Sequence, residues 1–412
     1  MLALRLARGA HPLVQLRRLL VAAAAAGTGF LLLCTLGYAM GHPDDPGGSA
    51  LRLAWCVAPA AATVYFAVAV ARTDPGTRPR PGLAAVGLGP GRLMAISATT
   101  TALSCTLGSM LALLFFLHLR GDLTGMPFDR AAADLLAAKE PLPLPAALTL
   151  LVLVPLAASV SAALVLRPRG GKPARAGRHG ARGASRTNAE AGPYADQPGR
   201  PLDPQHPAPP LPAPGGLPWG TAVLAAGLAV ETYASRSGQA SGPVLPGGFA
   251  GGPAGVLAGW TLTAVGLALA GPAITHLCGR LLQSVRPGAL RLLAGRILQE
   301  EARRIGRPLG VVCAVASGAY AVATLYAGAR PSFGPLTTLG ALLVAGCAVA
   351  TLLTAAVEAR QARADTTAAL LRLGAPATVL RSAALLRAGA LAAVFLPLTW
   401  MVAELAAIPL AG

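Results

Sequence analysis

Long apolar runs recur along the chain, and short polar segments rich in arginine, glycine and proline separate them. A helix of roughly 20 apolar residues is long enough to cross a hydrocarbon core about 30 Å thick. The pattern therefore predicts an all-α polytopic membrane protein with about nine transmembrane helices. The predicted spans are residues 19–40, 51–71, 93–118, 144–166, 217–234, 254–278, 309–327, 336–357 and 379 to about 402.

The amino-acid composition agrees with a chain that is embedded in a lipid bilayer. Apolar residues make up 54% of the 412 residues, charged residues only 12%, and the mean hydropathy is +0.59. These values lie outside the range of ordinary soluble domains. The six cysteines lie in or beside the apolar runs with no zinc-binding or disulfide spacing, so we interpret them as small packing residues and expect no metal and no cofactor.

The net charge of +18 changes meaning once the position of each charge is considered. If the N-terminus is cytoplasmic, most of the 34 lysines and arginines fall in cytoplasmic segments, as the positive-inside rule requires. We therefore expect a multi-pass protein of the cell membrane with a cytoplasmic N-terminus and an extracellular C-terminus. The basic residues therefore indicate which segments are cytoplasmic, and nucleic acid is not an expected partner.

One segment in the middle of the chain is different in kind. Residues 167–216 are rich in proline, glycine and arginine and have few apolar side chains to bury, which predicts a disordered cytoplasmic linker. The linker separates a first unit of four spans, residues 1–166, from the rest. The "GGK" at 170–172 is not a phosphate-binding loop, because it lacks the earlier glycine and the hydroxyl residue after lysine.

The two ends of the chain resemble each other, which predicts an internal duplication. "ALRL" at 3–6 precedes Arg17 and Arg18, and "ALRL" at 289–292 precedes Arg303 and Arg304, each 286 residues later. Similar offsets carry the second span onto the eighth and the third onto the ninth. A third "ALRL", at 50–53, shows that short words recur by chance, so the ordered set of matches is what favours duplication. We expect units 1–166 and 284–412 to flank a central pair of spans, 217–283, with the last span of the second unit missing.

A short basic helix is predicted between the eighth and ninth spans, in the stretch "DTTAALLRLGAP". Asp365 is a favourable N-cap, Gly374 can adopt the left-handed conformation that ends a helix, and Pro376 prevents continuation. The predicted helix runs from 366 to 373. Its apolar face would carry Ala369, Leu370 and Leu373.

This helix carries a family resemblance. Together with "LRSAALLRAGALAA", the run "ALLRLGA" resembles the FtsX-like permease domain, the membrane subunit type of MacB-like and lipoprotein-exporting ABC transporters. The resemblance is specific over residues 358–402. It implies that the short helix is a coupling helix, held in a groove of a separate ABC ATPase subunit. That role would fall on Asp365, Leu370, Leu371, Arg372, Leu373 and Gly374.

The first unit carries a weaker equivalent of the same helix. "GLAAVGLGPGRLMAIS" at 82–97 aligns with "TAALLRLGAPATVLRS" at 367–382, and the matching positions are Val86, Leu88 and Gly89. Gly87 stands where Arg372 does, so this copy departs from the pattern. The alternative for both helices is a plain interfacial connector whose arginines reach lipid phosphates.

The resemblance implies the permease subunit of an ABC transporter, which couples ATP hydrolysis by a separate chain to export or extraction of an amphipathic or hydrophobic substrate. The chain would not itself be an enzyme, because no nucleotide-binding motif or catalytic constellation is present. It could pair with a second copy or a second permease. A non-transporting scaffold that transmits ATPase motion across the membrane is one alternative.

An ion-coupled secondary transporter is the other alternative. Such carriers keep acidic or histidine side chains inside the bundle. Here Glu231 and Glu404 are expected near outer helix ends and Glu358 near an inner end, so no deep acidic residue is expected. Arg387, six residues into the ninth span after Arg381, is expected to extend towards the cytoplasmic interface.

Overall fold

The regular structure of the protein is helical. The computed structural model describes residues 12–74, 90–123, 132–133, 136–167, 214–236, 254–284, 288–325, 334–374 and 376–407. In these ranges the helices are α1 (Pro12–Gly41), α2 (Pro46–Thr73), α3 (Pro90–Arg120), α4 (Leu144–Leu166), α5 (Leu217–Arg236), α6 (Ala254–Ser284), α7 (Ala289–Leu325), α8 (Pro335–Ala362), α9 (Ala364–Arg372) and α10 (Ala377–Ala407). No strand occurs in the ranges described, and the all-α prediction is confirmed.

Eight of these helices, all except α5 and α9, are long and apolar enough to cross a membrane. The prediction of a multi-pass membrane protein is confirmed at this level. The predicted fifth span does form a helix, α5, but Thr221, Glu231 and Thr232 interrupt its apolar sequence and it is not one of the eight. The count of nine spans stays a prediction.

In the first part of the chain, α1 packs against α2, α3 and α4. Small residues bring the backbones of these helices together, as is usual between membrane helices. A Cβ at Gly108 of α3 would collide with the carbonyl oxygen of Ala22 in α1. Ser109 Oγ donates a hydrogen bond to the Leu151 carbonyl oxygen of α4, 3.1 Å away.

In the second part of the chain, α7 packs against α6, α8 and α10, and α5 packs against α6. Glycines again permit the closest approach: a Cβ at Gly306 of α7 would collide with Pro272 of α6. Ser317 Oγ of α7 lies 3.1 Å from the carbonyl oxygen of Thr399 in α10 and donates to it.

The two parts meet where α2 packs against α8. Thr28 and Thr63 share a buried hydrogen bond of 2.8 Å between α1 and α2, and Thr63 Oγ1 lies 3.9 Å from Cys347 Sγ of α8. Phe66, which is buried, lies in the same apolar cluster as Cys347. The bundle is therefore continuous from the first helix to the last.

Several sequence predictions fall on residues outside the described ranges. They include the first-unit equivalent of the short helix, with Val86, Leu88 and Gly89, and most of the 167–216 linker. The domain boundaries accordingly stay predictions.

Candidate coupling site

The short helix predicted from the sequence exists and is α9. It begins at Ala364, where Thr367 N donates to the carbonyl oxygen of Arg363 over 2.8 Å. The prediction that Asp365 is the N-cap was wrong, because Asp365 lies inside the first turn. The residue before the helix is Arg363, whose backbone is already helical (φ −100°, ψ −2°), so no extended residue remains to form a side-chain cap.

The end of α9 matches the sequence prediction. Leu373 N donates to the carbonyl oxygen of Ala369 over 3.0 Å, and Gly374 N donates to that of Leu371 over 3.1 Å. Gly374 has a φ of +88°, the left-handed conformation that closes helices and that glycine adopts without strain. The chain then turns into α10, which begins at Ala377. These contacts make α9 a discrete helix and not an extension of α8 or α10.

Two leucines at the end of α9 are exposed. Leu371 is 47% exposed and Leu373 is 84% exposed, and Arg372 is exposed between them. Covering an exposed leucine with a partner or a membrane surface lowers the free energy by about 25 cal/mol per Å² of apolar area buried. The surface formed by Leu371, Arg372 and Leu373, here called the α9 surface, is therefore suited to docking.

The start of α9 is fixed to the bundle by a buried carboxylate. Glu301 of α7 is only 8% exposed, and Arg363 Nε lies 2.7 Å from its Oε1. Arg387 Nη1 of α10 lies 3.5 Å from the other oxygen, Oε2. Arg363 Nε also donates to the carbonyl oxygen of Ala359 in α8, 3.0 Å away. Glu301 thus connects α7, the α8–α9 junction and α10.

The periodicity of α7 explains why Glu301 is buried. Ala294, Leu298 and Ala302 are fully buried or nearly so, and Glu301 lies on their face of the helix. Glu300, one residue earlier, is exposed and pairs along the helix surface with Arg296 at 3.8 Å. A carboxylate on the buried face is costly unless cations compensate it, and Arg363 and Arg387 supply two.

The structure gives Arg387 a partner that the sequence did not suggest. Its guanidinium is half-buried and paired with Glu301, and its Nε donates to the carbonyl oxygen of Ala383, one turn nearer the start of α10, at 3.4 Å. The pair joins positions 86 residues apart, so spacing in the sequence did not reveal it. The available signal was the arginine itself, because a cation within an apolar span calls for a partner.

The first part of the chain has a similar contact with the charges reversed. Arg18 Nη2 of α1 lies 2.6 Å from Asp74 Oδ2, directly after the end of α2. Arg17 Nη1 donates to Thr73 Oγ1 over 3.2 Å. In this contact the arginine is on α1 and the acid follows α2. In the other, the acid Glu301 is on α7 and the arginine, Arg363, follows α8.

A second buried carboxyl group lies between α5 and α6. Glu231 is fully buried, and Trp260 Nε1 donates to its Oε1 over 2.5 Å. Glu231 lies near the end of its helix, as expected, but the sequence did not show that its side chain, like that of Glu301, is buried. Glu404 lies near the end of α10 and is partly exposed, and its Oε1 accepts from Tyr320 Oη at 3.1 Å.

The cysteines are packing residues, as predicted. All six are buried and unpaired with one another. Among the described residues, no three histidine, cysteine, aspartate or glutamate side chains lie close enough together to hold a metal ion.

No protein-family model, curated protein or solved structure matches this chain. Its own residues define the class: a multi-pass α-helical membrane protein. Within that class, the distinguishing feature is a short exposed helix anchored by a buried ion pair.

Proposed function

We propose that this chain is the permease subunit of an ABC transporter and that a separate ATPase subunit binds the α9 surface. The observation that carries the proposal is the exposure of Leu371, in α9, and of Leu373, directly after it, together with the Arg363–Glu301 ion pair at the start of the helix. The similarity of "ALLRLGA" to FtsX-like permeases adds support. The substrate class that fits such a permease is an amphipathic or hydrophobic molecule, exported or extracted from the membrane.

The ion pairs offer a route by which ATPase motion could reach the spans. A load on α9 acts first on Arg363, and from there on Glu301 in α7 and Arg387 in α10. Because Glu301 is buried, separating it from its arginine partners would leave a buried negative charge uncompensated, at a cost of about 3–5 kcal/mol. Displacement of α9 is therefore resisted by a strong contact and is expected to move α7, α8 and α10 together.

Helix spacing supports the proposed duplication. Adding 286 to the bounds of α2 gives 332–359, close to α8 at Pro335–Ala362. Adding 285 to those of α3 gives 375–405, close to α10 at Ala377–Ala407. The helix contacts are also equivalent in the two units: α1 packs against α2 and α3, and α7 packs against α8 and α10.

The docking partner can be identified by photo-cross-linking in membranes of the native host. A photoreactive amino acid at Leu371 or Leu373 should capture a polypeptide that carries a Walker nucleotide-binding motif, identified by mass spectrometry. The matched control is the same amino acid at Leu292, an exposed leucine near the start of α7. Capture of lipid alone from positions 371 and 373 would favour the interfacial-connector alternative and overturn the assignment.

A charge placed on the α9 surface tests the same contact in the assembled complex. Leu373→Asp should reduce co-purification of the captured ATPase at least tenfold, because an aspartate cannot be buried in an apolar groove without loss of hydration. Leu292→Asp is the control and should leave the complex intact. Equal recovery of the ATPase with both variants would contradict the proposal.

One observation favours ion-coupled transport as a second candidate. Glu231 is a fully buried acidic side chain, the kind of group that ion-driven carriers use. The two candidates differ in what they need: an ion-coupled carrier moves protons with its substrate in liposomes that contain the chain alone, whereas an ABC permease moves substrate only with its ATPase and ATP.

A further inference from the structure

The environment of Glu231 is unusual for a carboxyl group. Its Oε1 has one donor, Trp260 Nε1, and its Oε2 is buried without a hydrogen-bond partner. Thr263, one turn further along α6, is also buried, and its Oγ1 has no partner either. Two polar oxygens on one helix interface are thus left without a donor, although buried polar atoms are nearly always paired.

The backbones of α5 and α6 approach very closely around Glu231. A Cβ at Gly259 would lie 2.8 Å from Glu231 Cβ, and a Cβ at Gly227 would lie 2.5 Å from Thr263 Oγ1. The same contact continues along the pair, where a Cβ at Gly266 would lie 2.5 Å from Leu224 N. A metal ion needs several oxygen ligands and space for them. Of the cations that bind carboxylates, the proton is the one that such tight packing accommodates.

Among the side chains that the structure describes, no cation pairs with the Glu231 carboxyl group. On α5, Tyr233 is largely exposed and Arg236 ends the helix five residues further on. On α6, the ionisable side chain nearest in sequence to Trp260 is His276, about four turns away. The third helix in contact with α5 is α10, whose charged residues are Arg381, Arg387 and Glu404. Arg387 is paired with Glu301, and Glu404 accepts from Tyr320.

We propose that Glu231 is a proton-binding site, and that its protonated carboxyl group holds α5 against α6. In the neutral acid, Oε1 accepts from Trp260 and Oε2 carries the proton, so no charge is buried. On deprotonation the O–H bond of Oε2 breaks, the electron pair stays on the carboxylate and the proton passes to water. The proton would leave towards the end of α5 at Arg236, which is about 7.5 Å away along the helix. The buried negative charge then loosens the α5–α6 contact and admits water.

Infrared spectroscopy of the full-length protein in liposomes tests the site directly. The carbonyl stretch of a protonated carboxylic acid should be present at low pH, decline as the pH rises, and be missing from the Glu231→Gln variant. Glu404→Gln, which removes a partly exposed carboxyl group, is the control and should leave that band unchanged. Trp260→Phe should shift the band to higher frequency, because Oε1 of Glu231 then loses the hydrogen bond from Trp260.

Two results would overturn the proposal. If no protonated-acid band is lost in Glu231→Gln at any pH, the carboxyl group is ionised in the folded protein. If the band is lost in the variant but does not change with pH in the wild-type protein, the proton is structural and never exchanges.

Hydrogen exchange supplies a second measurement. After correction for the intrinsic effect of pH, the amides of α5 should lose protection as the pH rises in the wild-type protein. Glu231→Gln, which keeps an acceptor for Trp260 and stays neutral, should keep them protected throughout. Equal pH dependence in both proteins would contradict the proposal. This inference does not depend on the ATPase, so either proposal can fail while the other stands.

Discussion

Arg363 Nε and Glu301 Oε1 lie 2.7 Å apart, and this contact joins the residue before α9 to the buried face of α7. It is the point at which an exposed surface helix becomes part of the bundle. Residues on either side of it are expected to behave differently: those in α9 should affect docking, and those at the ion pair should affect both docking and stability.

Replacement of Glu301 should destabilise the protein strongly. Glu301→Gln leaves Arg363 and Arg387 without an anion in a largely buried site, and we expect a loss of about 3–5 kcal/mol. Thermal unfolding in detergent, followed by circular dichroism, is the measurement. Glu300→Gln is the matched control, because its ion pair with Arg296 is exposed and should contribute less than about 1 kcal/mol. Similar losses in both variants would contradict the role assigned to Glu301.

Gly374 should be required for the end of α9. At a φ of +88°, an alanine would cost about 1–2 kcal/mol, because its Cβ crowds the backbone in the left-handed region. No other atoms lie within 4 Å of that Cβ, so the effect is conformational and local. We expect Gly374→Ala to increase hydrogen exchange at the end of α9, whereas Gly374→Asn should resemble the wild type, since asparagine tolerates this conformation.

Gly108 should be required for packing of α3 against α1. An alanine there would force the Ala22 carbonyl oxygen to move, and we expect Gly108→Ala to cost about 1–3 kcal/mol. Gly346→Ala in α8 is the control, because no atom lies within 4 Å of its added Cβ and alanine favours a helix by about 1 kcal/mol. Urea unfolding of both variants should give changes of opposite sign. A stabilising effect at both positions would show that α1 and α3 are further apart than described.

The proposed orientation can be measured with a membrane-impermeant thiol reagent on intact cells. A cysteine at Asp44, in the exposed turn between α1 and α2, should react, and a cysteine at Thr366 of α9 should react only after the membrane is opened. The native cysteines are buried, so the background should be low. The opposite pattern would reverse the topology and place α9 on the wrong side of the membrane for a cytoplasmic ATPase.

Much of the helical order could be predicted from local pattern. Apolar runs located the long helices because a span needs length and apolar side chains and little else. Gly374 was predicted correctly because the end of a helix depends on the conformation of one or two residues. The cap at Asp365 failed because α8 continues in a helical conformation through Arg363, and α9 begins without the extended residue that a cap requires.

Contacts between distant helices could not be predicted in the same way. Glu301 was not considered as a partner for Arg387, because the face of a helix that becomes buried depends on which helices pack against it. The position of Glu231 near the end of a predicted span did not show that its side chain is buried, which follows from the close approach of α6 at Gly259. In both cases the missing information was the identity of the neighbouring helix.

The Arg18–Asp74 and Glu301–Arg363 ion pairs have opposite polarity, and this has a consequence for assembly. The chain contains two such helix pairs, α1 with α2 and α7 with α8, and each has its own salt bridge. If α1 paired with the end of α8 in place of α2, Arg18 would meet Arg363 instead of Asp74. If α7 paired with α2, Glu301 would meet Asp74. Like charges would repel in either exchanged arrangement, so the two salt bridges favour the helix pairs that the structure shows over the exchanged pairs.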